Sequence, residues 1–351
     1  MTRRTLSTSS SRGVDEMKKA KELLFAIAFV LVAALLLMVC GTALRPEHTT
    51  YGATWKPFLA EPDNSLDYLY LGSSYAYCDV SPGWIYDASG LTGYVMAGPE
   101  QTFSLSRWYL RQALGTQSPD LVFIEATGLG FERYQNYTQV NVDYMPLTLN
   151  RLQATLHSAE PELRTGLLFP LYFYHDRWKE FSLTEAVDNL SPGTTDLLKG
   201  YTAVNGLAEG IESGPFTREL PENTYQDNLA DLGDVLTVCH EAGAQPVVVF
   251  HPTYSQYSQE DRDRIRADVT ALDPDALFFD WSNAFEDIGL DPTRHFYDAG
   301  HFNQEGAAIF SAWLGRFAVD ELGAVPRTQT AENAAAWQAT AEYWKEQTQG
   351  S

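Results

Sequence analysis

Ser74, Asp298 and His301 are the residues whose types and spacing suggest chemistry first. Ser74 closes the segment Leu71-Gly72-Ser73-Ser74, directly after the apolar run Tyr68-Leu69-Tyr70-Leu71. That places its hydroxyl at the carboxyl end of an expected strand, where α/β sheets present reactive groups. Far along the chain, Asp298-Ala299-Gly300-His301 sets a carboxylate and an imidazole three residues apart, just before an expected helix over Gln304–Leu322. A serine hydroxyl is a weak nucleophile until a base takes its proton, and the base works best when a third group orients it. Serine, base and orienting acid are all supplied here. His301 is the expected base, Asp298 the group that fixes its tautomer, and Ser74 the nucleophile. The other reading is a Gly-Ser-Ser turn and an unrelated surface histidine. His295 competes for the role of base but lacks a carboxylate at the same spacing, so a structural role is expected for it.

The elements that must position these groups follow from apolar periodicity. Strand-length apolar runs fall at Asp67–Leu71, Leu121–Ala126, Gly166–Phe169, Pro246–Phe250 and Ala276–Trp281, with a further strand-like run ahead of Gly98. Amphipathic stretches around Ser104–Leu114, Leu147–His157, Thr224–Ala242, Gln259–Ala271 and Gln304–Leu322 alternate with them. Such alternation predicts an α/β fold with a parallel central sheet and helices on both faces, a three-layer α/β/α arrangement. The stretch Trp178–Asn223 breaks the rhythm and reads as an insertion that shapes a substrate cleft. A helical pattern recurs over Ala331–Thr348.

The two end blocks resemble those of the SGNH (GDSL-type) hydrolases, which are flavodoxin-like. Gly72-Ser73-Ser74 is similar to that superfamily's Gly-Asp-Ser opening block, and Asp298-Ala299-Gly300-His301-Phe302-Asn303 to its closing Asp-x-x-His block. The stretch Phe169-Pro170-Leu171-Tyr172-Phe173-Tyr174-His175-Asp176-Arg177-Trp178 adds a likeness to bacterial members. Within the superfamily the chain looks most like the membrane-anchored branch that pairs with membrane-bound O-acyltransferases, to which alginate O-acetylation proteins and the teichoic-acid D-alanylation protein belong. The likeness spans roughly Asp67–Leu322. It implies the triad Ser74, His301 and Asp298, with no metal and no cofactor. It also implies an oxyanion hole with Gly98 at the second-block position. Where the third block carries an asparagine, this chain reads Ile124-Glu125-Ala126-Thr127-Gly128, and either Thr127 or Gln101 substitutes or the hole relies on backbone amides, with that of Ser74 as one donor. Ser73 stands where the superfamily usually has aspartate. His175, Arg177 and Trp178 are read either as a sugar-binding rim, with the indole as a stacking face, or as a solvated loop. His251 also follows a strand, but no metal-ligand spacing accompanies it.

Ahead of this domain, Leu23–Leu44 runs 22 residues without a charge, long enough to cross a bilayer as a helix. Residues 1–21 carry six cations and two anions, and Arg45 is the only cation close behind the run, which predicts a cytoplasmic amino terminus and an extracytoplasmic remainder. Gly41-Thr42-Ala43 is a poor cleavage site and Val39 a poor residue ahead of a lipidated cysteine, so an uncleaved anchor is expected rather than a signal peptide. The organisation expected is a tail (1–21), an anchor (22–44), a tether (45–65), the SGNH-like domain (66–323) and a C-terminal tail (324–351). Residues 1–21 contribute +4 to the net charge of −22, which leaves about −26 on the remainder (−22 minus +4), a balance that repels nucleic acid and anionic lipid and argues against a nucleic-acid role. Cys78 and Cys239 read either as a disulfide or as two small buried hydrophobes.

The function expected is serine-dependent transfer of a small acyl group, most simply acetyl, onto a cell-surface or secreted polysaccharide, with a membrane-bound O-acyltransferase as partner. The alternatives are a carbohydrate esterase using the same triad, or a non-catalytic scaffold or glycan-binding protein of the same fold.

Overall fold

A computed structural model of the chain describes residues 8–47, 55–133, 137–208 and 215–349. Contacts divide them into two compact units, one within 1–47 and 168–191, the other within 48–167 and 192–351. Residues 48–54, a third of the expected tether, and the first seven residues of the expected tail lie outside the described residues.

The first unit is built on one long helix, Thr8–Ala43. Its stretch from Asp15 to Ala43 is long and apolar enough to span a membrane, with a mean hydropathy of 3.2 in its most apolar window and its side chains exposed. Around it lie the short helices Leu171–Tyr174 and Leu183–Leu190 and the 3₁₀ segment His175–Glu180.

The second unit is a mixed α/β structure around a parallel sheet. Its strands are β1 (Tyr68–Gly72), β2 (Gly93–Ala97), β3 (Leu121–Glu125), β4 (Phe216–Arg218), β5 (Gln245–Phe250), β6 (Ser255–Tyr257) and β7 (Leu277–Asp280). Five of them pair all-parallel in the order β2-β1-β3-β5-β7, while β4 and β6 form a separate two-stranded parallel sheet. Every residue of β1, β2 and β3 is buried, the near-continuous apolar composition expected of strands covered on both faces. The order reverses between β1 and β3, which flank the point where chain connections leave the sheet in opposite directions. Such a switch point opens a crevice at the carboxyl ends of the strands. Along β2, Val95 N donates to Lys199 O at 3.0 Å, so part of that strand's free edge is covered by a loop.

The expected strand Gly166–Phe169 is a correction: Pro161–Leu168 is helical. The run is too short for periodicity to separate a strand from one buried helical turn. The stretch Trp178–Asn223 also divides, because Trp178–Ser191 belongs with the long apolar helix, while 192–208 and 215–223 belong to the unit that contains the sheet. Cys78 and Cys239 are both buried and free.

The helix Ala331–Gln349 is integral to the second unit. Trp337 is fully buried, with the Tyr86 ring 5.5 Å away and Lys199 Nζ 5.0 Å from its ring centre. Lys199 in turn makes a buried 2.6 Å ion pair with Glu61. Trp344 Nε1 donates to Leu197 O at 2.8 Å. Removing a large buried aromatic typically costs about 3–5 kcal/mol through lost burial and the cavity left behind. Trp337→Ala should therefore lower unfolding stability by about that amount, read from the denaturant midpoint followed by near-ultraviolet circular dichroism. An unchanged midpoint would mean that the C-terminal helix is not part of the cooperative unit.

Candidate active site

Gly72 ends β1 where the chain must turn at once into the short helix Ser74–Tyr77. A Cβ there would lie 2.8 Å from Ala76 Cβ and 2.9 Å from Glu125 Cβ, so only glycine allows the turn. The turn presents Ser74 at the carboxyl edge of the sheet, next to the switch point. As the first residue of its helix, Ser74 has a backbone amide without an intrahelical acceptor. Ser73 is buried and its hydroxyl makes no hydrogen bond.

His301 Nε2 lies 2.8 Å from Ser74 Oγ. His301 Nδ1 lies 2.9 Å from both oxygens of Asp298. Asp298 Oδ1 also accepts from the backbone amides of Gly300 at 2.7 Å and His301 at 2.8 Å, so the carboxylate organises the turn that carries the imidazole. We assign the ring proton to Nδ1, where the carboxylate accepts it, leaving Nε2 free to receive the serine proton.

The histidine loop is fixed from several sides. Ala299 O accepts from the amides of Tyr254 and Ser255, each at 3.0 Å, and from Thr253 Oγ1 at 3.0 Å. Phe302 N donates to Asp79 Oδ1 at 2.9 Å. Asn303 caps the helix Gln304–Asp320 by accepting from Gly306 N at 3.0 Å. His295 is structural, its Nδ1 accepting from Asp291 N at 2.8 Å.

Three residues around the triad were not singled out from sequence. Tyr75 packs its ring 5.0 Å from the His301 imidazole. Arg218, at the end of β4, donates from Nη1 to Tyr75 Oη at 2.6 Å, and its guanidinium lies 5.6–5.8 Å from the rings of Tyr75, Phe131 and Tyr257. Asp79 is fully buried and approaches His251 Nδ1 at 3.1 Å, while His251 Nε2 lies 2.5 Å from Tyr70 Oη. An aspartate inside the apolar stretch Tyr75–Val80 was the one signal available in sequence. Both nitrogens of His251 are thus used within the protein.

The residues proposed for the oxyanion hole stand differently. Thr127 donates from both N (2.8 Å) and Oγ1 to the Glu125 carboxylate, which spends both donors. Gln101 Nε2 donates to Ser106 Oγ at 2.9 Å and Met96 O at 3.4 Å, and its Oε1 is buried without a partner. Gly98 follows β2, and the space beside its Cα is filled by Asn141 Oδ1, an asparagine remote in sequence from the third block. Asn141 Nδ2 donates to Pro99 O at 2.9 Å.

His175, Arg177 and Trp178 lie in the unit of the long apolar helix. Arg177 donates to Leu44 O at 2.6 Å and pairs with Glu185 at 2.8 Å, His175 lies 3.5 Å from Asp176, and the Trp178 ring is exposed.

Burial opposes the His301 imidazolium, but the hydrogen bond to Asp298 and the carboxylate charges of Asp79 and Asp298 outweigh it and raise its pKa above the ordinary value, with Arg218 pulling the other way. Burial also opposes the Asp298 carboxylate, yet its bonds to His301 and the loop amides hold its pKa below the usual range. Burial drives His251 down to about 4, so it is neutral at pH 7. The chain matches no protein-family model and no curated protein.

A base must be neutral to accept a proton, so activity limited by His301 should rise with pH through a midpoint above that of free imidazole. Asp298→Asn should lower this midpoint and Arg218→Gln should raise it, read by nuclear magnetic resonance titration of the His301 ring protons in the intact chain. Shifts of the same sign in both variants would contradict this account of the field around His301.

Proposed function

We propose that this protein is a membrane-anchored serine acyltransferase of the SGNH type, moving a small acyl group such as acetyl through a Ser74 ester. The observation that carries the proposal is the contiguous Ser74–His301–Asp298 hydrogen-bond chain at the carboxyl edge of a parallel sheet. The strand order, equivalent to 2-1-3-4-5 when only the sheet's own strands are counted, supports a flavodoxin-like three-layer reading. The basic flank before Leu23–Leu44 supports a cytoplasmic amino terminus with the acyl-transfer unit outside.

In the first half-reaction Ser74 Oγ attacks the acyl carbonyl carbon as His301 Nε2 takes its proton. Asp298 keeps the ring oriented and stabilises the imidazolium. The oxyanion that forms meets the Ser74 amide, with further donors from the backbone around Gly98 in this reading. Collapse breaks the bond to the donor, whose leaving atom receives the proton from His301. In the second half-reaction a polysaccharide hydroxyl gives its proton to His301 and attacks the Ser74 ester; the ester bond breaks and Ser74 Oγ takes that proton back from His301. A membrane-bound O-acyltransferase would supply the acyl group. With water in place of the sugar hydroxyl, the same residues act as a carbohydrate esterase. A specific observation favours a third reading, a non-catalytic scaffold: the donors of Thr127 and Gln101 are directed to other protein groups.

Polysaccharide acyl content, measured in cells expressing variants at matched protein levels, separates these readings. Ser74→Ala and His301→Ala should each remove activity by on the order of 10⁴-fold or more, and the double variant should be little worse, because triad members act as a unit. Asp298→Asn should be milder, and Ser73→Ala should keep most activity. Normal acylation by Ser74→Ala would leave only the scaffold reading standing.

A further inference from the structure

We infer that Leu168–Ser191 is a membrane-surface foot, a segment that lays its apolar side chains into the bilayer where the long apolar helix ends. The inference rests on reading that helix as a membrane span. It does not depend on the chemistry at Ser74.

Within 24 residues the segment exposes Phe169, Tyr172, Trp178, Phe181, Leu183, Val187 and Leu190, with exposures between 48% and 71%. So many exposed large apolar groups in one short stretch mark an interaction surface rather than ordinary scatter. They are ordered. On the helix Leu183–Leu190, Leu183, Val187 and Leu190 fall at i, i+4 and i+7, which is one face. Ala186 of the same helix is buried, and Asn189 Nδ2 donates to Arg45 O at 2.7 Å, so a different face meets the long helix. An amphipathic helix normally turns its apolar stripe inward; this one turns it outward.

The occupant follows from what the segment is packed on. Gly41, near the end of the long helix, meets Pro170 and Leu171 so closely that a Cβ would lie 2.8 Å from Leu171 N. Arg177 satisfies Leu44 O at 2.6 Å, one of the carbonyls a helix end leaves without an intrahelical donor. The segment is therefore fixed to the last turn of the helix, where a membrane span would leave the hydrocarbon. The long helix itself presents exposed Leu35, Leu36, Leu37 and Val39 just before this point. A bilayer that covers those side chains continues onto the foot. Tyr and Trp are the residues enriched at the depth of the headgroups, and Tyr172 and Trp178 stand there. The charged residues Asp176, Lys179 and Glu180 are exposed as well, as expected of a segment lying in the interface rather than crossing it.

Site-directed spin labelling of the full chain in nanodiscs of phosphatidylethanolamine and phosphatidylglycerol tests this. Cys40→Ser removes the exposed cysteine, while Cys78 and Cys239 are buried. Nitroxides are placed by Leu183→Cys, Val187→Cys, Asp176→Cys and, within the span, Leu36→Cys. The expected result is lipid-type accessibility, oxygen over a water-soluble nickel chelate, at 183, 187 and 36, with the reverse at 176. Chelate-dominated collisions at 183 and 187, with position 36 still in lipid, overturn the foot and leave the anchor intact. Low accessibility to both reagents at 183 and 187 means that a protein covers this face, which also overturns the inference. Chelate access at 36 removes the anchor and the foot together.

Discussion

The candidate site depends on one hydrogen bond, between Ser74 Oγ and His301 Nε2, whose ends are 227 residues apart in sequence. Neither partner is placed by its own element alone. Ser74 is set by the carboxyl end of β1 and by a glycine that lets the chain turn against Glu125. His301 is set by a loop whose carbonyl at Ala299 takes three donors and whose amide at Phe302 is held by Asp79. Asp79 lies five residues after Ser74, so the segment that carries the hydroxyl also anchors the loop that carries the imidazole. A displacement of either would lengthen this hydrogen bond.

Charge around this bond is unevenly distributed. Two histidines share one neighbourhood yet are shifted in opposite directions, His251 downward and His301 upward. Burial keeps His251 uncharged, where it joins Tyr70 to Asp79, while Asp298 favours a proton on His301. Pushing apart the pKa values of similar groups is how one site separates structural from acid–base roles. Arg218 acts in the other direction, bringing positive charge to the far side of Tyr75, whose ring lies on the imidazole.

Much of this arrangement was legible in sequence, and the exceptions share a cause. β1, β3, β5 and β7 were marked by apolar runs with β-branched or aromatic residues, and the Asp-x-x-His spacing fixed its own local geometry. Gly166–Phe169 was misread because four apolar residues satisfy a helical turn as readily as a strand. His175, Arg177 and Trp178, read as a sugar-binding rim or as a solvated loop, belong to the unit of the long apolar helix. Arg218 was invisible because β4 is three residues long and its partner β6 lies 37 residues further on, so only tertiary pairing brings it to Tyr75. Thr127 illustrates the converse: its position in the chain suited an oxyanion donor, but the neighbouring Glu125 carboxylate captures both of its donors. Asn141, which fills the space beside Gly98, comes from a helix that no spacing rule connects to β2.

The central claim is that His301 and Asp298 make Ser74 nucleophilic. The most direct measurement is the reaction of the intact chain with a serine-directed fluorophosphonate, followed by peptide mass spectrometry of the adduct. The account predicts a single covalent adduct on Ser74, lost in His301→Ala and formed faster as pH rises through the His301 midpoint. An adduct on Ser73, or no adduct on a folded protein at any pH, would contradict it.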